Sequence, residues 1–280
     1  MSDTTKNKEE LASCKINEDA LIDEEVVQIG AGRSGTTVVW QILNCIYKKV
    51  WKTHSPKADI LKNPDQKIFF TYRDPRDLAI SFARTNIFRK PKTPRSFRKG
   101  DLIPTDPTES FHLEFEKKAS DSESFPQLDY AIFLAYREVI DGVIYKDGRR
   151  KISFGPFSSV QKKIDDLLKC KNVLRIKYED YLGEEERIAQ LVDDICKFSN
   201  IEIPLEKKEY ISNKCNRKSN LLIQKRCTDF KKVDKDSGIH GNHIKSNPKA
   251  TWRTVLTKEQ IEHVNNVFKE ELDNFGYLTE

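Results

Sequence analysis

Three short stretches of this chain hold residue types whose spacing could act on an anionic group. In Gly30-Ala31-Gly32-Arg33-Ser34-Gly35-Thr36-Thr37 a glycine-rich turn lies between an apolar run and a run with helical period. Val26, Val27 and Ile29 enter it as a buried strand, and Val39, Leu43 and Ile46 leave it at helical spacing. A turn at such a junction aims several backbone N–H groups and the positive end of a helix dipole at one point, which suits a phosphate-like anion. In the second stretch, Lys52 and His54 alternate with Thr53, so both project to one side of a strand end. The imidazole titrates near neutrality and can take a proton from an attacking group. In the third, Arg73 ends the apolar run 67–72, and Asp74-Pro75 reads as a helix cap and first helical residue. Ser81 follows Arg73 by eight positions, which lets both border one crevice.

The side chains restrict the chemistry. A nucleotide-hydrolysing P-loop carries Lys directly after its second spaced glycine. Gly30 and Gly35 have that spacing, but Thr36 stands at the Lys position and the loop's cation is Arg33. The net charge of +5 comes from 49 Lys and Arg against 44 Asp and Glu. That balance suits a nucleic acid or one doubly phosphorylated nucleotide, and the interspersed acidic residues argue against a continuous basic track. Cys14, Cys45, Cys170, Cys196, Cys215 and Cys227 form no metal-ligand spacing, and Cys45 and Cys196 read as buried thiols. His240 and His243 lack carboxylate or cysteine partners and read as a loop pair, not a metal pair. No stretch is long enough to span a membrane, and residues 1–20 are polar where a signal peptide is apolar, so an intracellular protein is expected.

The elements that must position these residues alternate. Residues 1–20 are expected to be a disordered tail and 21–280 a single domain with an insertion at about 86–127. Strands are expected at 67–72 and 172–178, and helices at 128–145, 158–170, 184–199 and from 257 onward. In the helix at 158–170 the apolar positions are Val160, Ile164, Leu167 and Leu168; residues 213–247 give no secure pattern. This order predicts an α/β fold with a central parallel sheet flanked by helices.

Together the three stretches resemble the sulfotransferases that use 3′-phosphoadenosine 5′-phosphosulfate (PAPS). Arg33-Ser34-Gly35-Thr36-Thr37 is similar to their 5′-phosphosulfate loop, Lys52-Thr53-His54-Ser55-Pro56 to the segment with the catalytic histidine, and Tyr72 to Asp77 with Ser81 to their 3′-phosphate motif. Tyr178-Glu179-Asp180 and Trp252-Arg253 add further likeness. The resemblance implies a P-loop-like sulfotransferase fold, PAPS as co-substrate, a small-molecule acceptor, no metal, and no nucleic-acid or membrane partner. By resemblance, Arg33, Ser34, Gly35, Thr36 and Thr37 would hold the 5′-phosphate and sulfuryl group, and Arg73 and Ser81 the 3′-phosphate. Tyr178 would lie near the adenine, Lys52 would touch the transferring group, and His54 would be the general base. Two positions depart from the pattern: Val38 stands where the family has an adenine-stacking Trp, with Trp40 two later, and Lys245-Ser246-Asn247 replaces an Arg-Lys-Gly. Lys245 or Lys249 would then complete the 3′-phosphate site. The alternatives are a P-loop nucleotide kinase or NTPase, which would bind ATP with Mg²⁺, and a non-catalytic nucleic-acid-binding protein on the same fold.

Overall fold

The computed structural model describes residues 21–54, 63, 65–78, 81, 143–146, 149–152, 159–169, 171–183, 185–227, 233–240, 244, 252–255 and 258–278. Four strands form its central sheet: β1 (Ile22–Gly30), β2 (Tyr47–Thr53), β3 (Ile68–Tyr72) and β6 (Val173–Lys177). They lie in the order β2-β1-β3-β6, and each neighbouring pair is parallel. Helix α1 (Thr36–Asn44) carries the chain from β1 to β2 on one side, whereas β3 pairs with β1 on the other. The direction of strand order therefore changes at β1. In open parallel sheets a crevice opens at such a point, beyond the carboxyl ends of the strands.

Burial on both faces explains why β1 and β3 read as nearly continuous apolar runs. On one face Val26 and Phe69 join Val39, Ile42 and Leu43 of α1, and residues of α4 (Ile188–Ser199) and α5 (Leu205–Cys215). On the other, Val27, Ile29, Ile68 and Phe70 pack on Ile164 and Leu168 of α2 (Ser159–Leu168). The α/β class with a helix-flanked parallel sheet is thus the observed architecture. After β6 come α3 (Tyr178–Leu182), α4 and α5, then α6 (Arg217–Arg226) inside the stretch that the sequence left unassigned. The chain continues through α7 (Trp252–Val255), α8 (Lys258–Val267) and α9 (Lys269–Asn274). Among the described residues no helix is long and apolar enough to cross a membrane.

The structure corrects several expected elements. The helix expected over 128–145 gives way by Val143 to β4 (Val143–Lys146), which pairs antiparallel with β5 (Arg149–Ile152). Lys146 pairs with Arg149, so only Asp147-Gly148 lies between the strands, a pair that favours tight hairpins. Leu167, expected among the apolar positions of α2, is exposed. The helix expected from 184 begins at Ile188, and the C-terminal helix divides at Phe268 into α8 and α9. The tail at 1–20, the insertion at 86–127 and residues 128–142 lie outside the described residues.

One close approach sets the position of the crevice. A Cβ on Gly30 would stand 2.3 Å from Thr71 Oγ1 and 2.4 Å from Thr71 O, so only glycine lets β1 and β3 meet there. Gly30→Ala is expected to cost about 2–3 kcal/mol through overpacking. Urea unfolding checks this: the midpoint should fall while the slope stays unchanged.

Candidate anion-binding active site

The turn after β1 is held from below by Ser34. Its buried hydroxyl donates to Ala31 O at 2.7 Å and lies 3.1 Å from both Thr71 O and Thr71 Oγ1. Gln28 Nε2 reaches the same Thr71 hydroxyl at 3.2 Å. The Ser34 side chain is thus occupied by the floor of the turn. Arg33 (φ 71°) and Gly35 (φ 92°) both adopt left-handed backbone, and a Cβ on Gly35 would also meet Leu182 at 2.6 Å. Backbone of this kind curls N–H groups into an anion-binding concavity. Gly35 is the N-cap of α1 and supplies no side-chain cap, so the amides of Thr36 and Thr37 open the helix without an intrahelical acceptor.

From β2, Lys52 donates to Thr37 Oγ1 at 2.8 Å and stands 5.5 Å from the centre of the Trp40 ring. Its removal from water lowers its pKa to about 8. His54 lies one residue past β2, with Nδ1 2.9 Å from the Gly30 carbonyl. A carbonyl oxygen only accepts, so Nδ1 carries the proton and the neutral ring leaves Nε2 as its lone-pair nitrogen. Desolvation lowers the His54 pKa; the Gly30 bond opposes this and the charge of Lys52 adds to it. The imidazole is therefore neutral at pH 7. Although the residue is exposed, its proton-bearing nitrogen faces inward.

Arg73 closes the opposite side, beyond β3. It is 6% exposed. Its guanidinium lies 4.0 Å from the Tyr178 ring centre, donates from Nη1 to Arg33 O at 3.2 Å, and stands 3.9 Å from Asp77. Nε is buried and, among the described residues, has no partner. An arginine in this state offers a donor and a charge to an incoming anion. Ser81 is on the same side and accepts from Arg33 Nε at 3.0 Å. Arg33, expected beside the 5′-phosphosulfate, has a left-handed backbone, its Nε bonds Ser81, and its carbonyl receives Arg73 Nη1. Lys245 and Lys249, with His243, lie outside the described residues.

Reasoning from sequence missed the polar framework beneath Arg73. Gln161 of α2 accepts from Arg73 N–H at 2.7 Å and donates to Arg73 O at 2.7 Å and Glu271 Oε1 at 2.9 Å. Helical spacing puts Gln161 on the face of Ile164 and Leu168, but only the structure shows it fully buried against Arg73 and Glu271. Asp74 caps the helical turn at 75–78 by accepting from Arg76 N–H, and also holds the Arg76 guanidinium at 2.7–3.1 Å. Arg76 in turn reaches Tyr277 O and Asn265, and lies 3.9 Å from the Trp252 ring centre. Glu179 accepts from Asp74 N–H and from the Tyr277 hydroxyl. Burial raises the pKa of both Asp74 and Glu179, and pushes Glu271 up to about 8.

The site therefore pairs an uncapped helix start after β1 with a buried arginine after β3 whose Nε has no partner among the described residues. Comparison with known families agrees with the resemblance read from the motifs: a family model described as a sulfotransferase domain matches residues 47–276. The chain belongs to the sulfotransferase family. The sulfotransferase fold is shared with mouse sulfotransferase SULT7A1 complexed with PAP at 14% identity and a TM-score of 0.53, over 92% of this chain and 88% of that one. It is shared also with retinol dehydratase in complex with androsterone and the inactive cofactor PAP, at 15% identity and a TM-score of 0.50, over 92% and 83% of the two chains. Comparison with curated protein sequences finds no match. In this sulfotransferase Trp40 faces Lys52 and Gly238, against which a Cβ would come within 3.3 Å of the indole. Val38 instead packs against the hydrophobic cluster that also receives Tyr178, so the two positions serve opposite sides of α1.

Two titrations follow. Competitive labelling with acetic anhydride should give Lys52 a midpoint of about 8, well below that of a solvated lysine. Because the Glu271 pKa is raised on folding, the native state binds the extra proton, and stability falls as pH rises from about 4.5 to about 8. Glu271→Gln should therefore melt higher than the wild type at pH 8 and lose that dependence in a thermal series.

Proposed function

We propose that this chain transfers the sulfuryl group of PAPS to a hydroxyl, ahead of an amine, of a small-molecule acceptor. The observation that carries the reading is the pairing of the uncapped α1 start with the buried Arg73, whose Nε has no partner among the described residues. Two anionic groups of one ligand would occupy these two places. The amides and hydroxyls of Thr36 and Thr37, with Lys52, would hold the 5′-phosphosulfate, while Ser34 and Gly35 shape the turn. Arg73 and Ser81 would hold the 3′-phosphate with Arg33 alongside, and Tyr178 would keep the Arg73 guanidinium flat against the nucleotide side. When bound, PAPS supplies a phosphate–sulfate anhydride whose sulfur the acceptor oxygen attacks as the phosphate oxygen leaves with the electron pair.

The residues of the chain would do the rest. Negative charge grows on the departing phosphate oxygen, and fixed N–H groups at a helix start stabilise it at little reorganisation cost. Lys52 adds a cation there. Its lowered pKa, about 8, leaves it mostly protonated at pH 7. His54 would accept the acceptor's proton at Nε2, since Nδ1 is committed to the Gly30 carbonyl. Thr36 in place of the P-loop Lys weighs against an ATP-hydrolysing reading. Cys45, Cys196, Cys215 and Cys227 are free thiols, which fits the reducing cytoplasm.

Calorimetry with the bisphosphate product tests binding, and radiolabelled PAPS with a panel of phenols, alcohols and amines tests transfer. His54→Ala should keep nucleotide affinity and lose turnover by about 10²–10⁴-fold. Arg73→Ala should weaken binding of the bisphosphate by about 100-fold, the scale for truncating a buried charge pair. Failure of the wild type to bind millimolar PAPS, or the two variants exchanging phenotypes, would overturn the assignment.

A further inference from the structure

We propose that Gln161 is a positioning residue for the 3′-phosphate side of the site, acting through the main chain of Arg73; this rests on the assignment of Arg73 to the 3′-phosphate. The parallel ladder between β3 and β6 ends at the pair Tyr72 and Lys177. Arg73 is the next residue, and its N–H and C=O are both met by the carboxamide of Gln161 at 2.7 Å. One side chain thus supplies the two hydrogen bonds that a neighbouring strand would have made. The carboxamide orientation is fixed by chemistry, because reversing it would set donor against donor at Arg73 N–H and acceptor against acceptor at Arg73 O.

The second Nε2 hydrogen of Gln161 goes to Glu271 Oε1 at 2.9 Å, so α9 holds the carboxamide in this pose. Gln161 is fully buried, and its hydrogen bonds among the described residues go to the Arg73 main chain and Glu271. Its effect must travel through the direction in which Arg73 leaves the end of β3. A guanidinium bound by its fork to a phosphate is sensitive to such direction, because two parallel hydrogen bonds must align together. Loss of Gln161 would free both main-chain groups of Arg73 and tilt the guanidinium away from Tyr178. Among the described residues the 5′ side, built on α1 and β2, shares no hydrogen bond with Gln161.

The test compares the full chain and Gln161→Met, which preserves volume, for binding of adenosine 3′,5′-bisphosphate and of adenosine 5′-monophosphate. The wild type should prefer the bisphosphate. Gln161→Met should weaken bisphosphate binding about tenfold, the loss of roughly one buried hydrogen bond, and change monophosphate binding by less than about twofold. Equal weakening of both nucleotides would mean a merely structural role, and no change in either would mean none; each overturns the proposal. A wild type with equal affinity for both nucleotides would overturn the 3′-phosphate assignment itself, and this inference with it. If Gln161→Met does not fold, Gln161→Leu gives the same readout, since it too removes the acceptor and both donors.

Discussion

A guanidinium taken out of water at the end of β3 is the constraint to which much of the structure answers. Removing a charge from solvent costs several kcal/mol unless other groups replace the lost hydration. Around Arg73 that replacement comes from the Tyr178 face, the Arg33 carbonyl and the Asp77 carboxylate at 3.9 Å. Together with Glu179 and Asp74 they outweigh the desolvation and keep the arginine charged. The compensation is incomplete at Nε, which has no hydrogen-bond partner among the described residues. The second buried ion pair, Asp74 with Arg76, keeps the turn after β3 rigid by tying it to Asn265, Tyr277 and Trp252.

The other half of the site is set by steric contact. Gly30 permits β1 to touch Thr71, and the Ser34 hydroxyl lies 3.1 Å from both Thr71 O and Thr71 Oγ1, so the turn is fixed to the neighbouring strand. Preorganised dipoles of this kind are effective because they need not turn at the moment of reaction. On the outer side, Gln41 and Asn220 exchange hydrogen bonds at 3.1 Å, and Gln41 also reaches Ser237 O at 2.7 Å. These contacts seat the turn at 233–240 against Trp40. The wall that meets Lys52 is therefore carried by α1 and α6, the same elements that pack the core.

Features governed by local pattern were legible in the chain. Buried parallel strands declare themselves as apolar runs, the turn after β1 by its glycines, and the helix after β3 by Asp74-Pro75, where the side-chain cap is observed. What was illegible depends on partners far away in sequence. Gln161 looks like a polar residue near the start of an amphipathic helix until Arg73 and Glu271 meet it across separations of 88 and 110 residues. Leu167 fits the helical period yet lies outside the packed stripe. Arg33 could be read as a loop cation, but its left-handed φ is a property that glycine usually supplies and sequence does not announce. The hairpin of β4 and β5 was hidden by apolar spacing that also suits a helix, although Asp147-Gly148 marked the turn.

The ties around Arg76 also bear on how the molecule assembles. Its contacts to Asn265 and Tyr277 span 189 and 201 residues, and Asp77 meets Trp252 across 175. Closing loops of that size must precede the stabilisation they bring, and chains dominated by such contacts cross their folding barriers slowly. During synthesis the sheet can form while the Asp74–Arg76 pair still faces water, because Asn265, Tyr277 and Trp252, which enclose Arg76, are made later. The turn after β3 would then gain its rigidity late, after the sheet has formed, and unfolding of those segments would loosen it before the sheet itself comes apart.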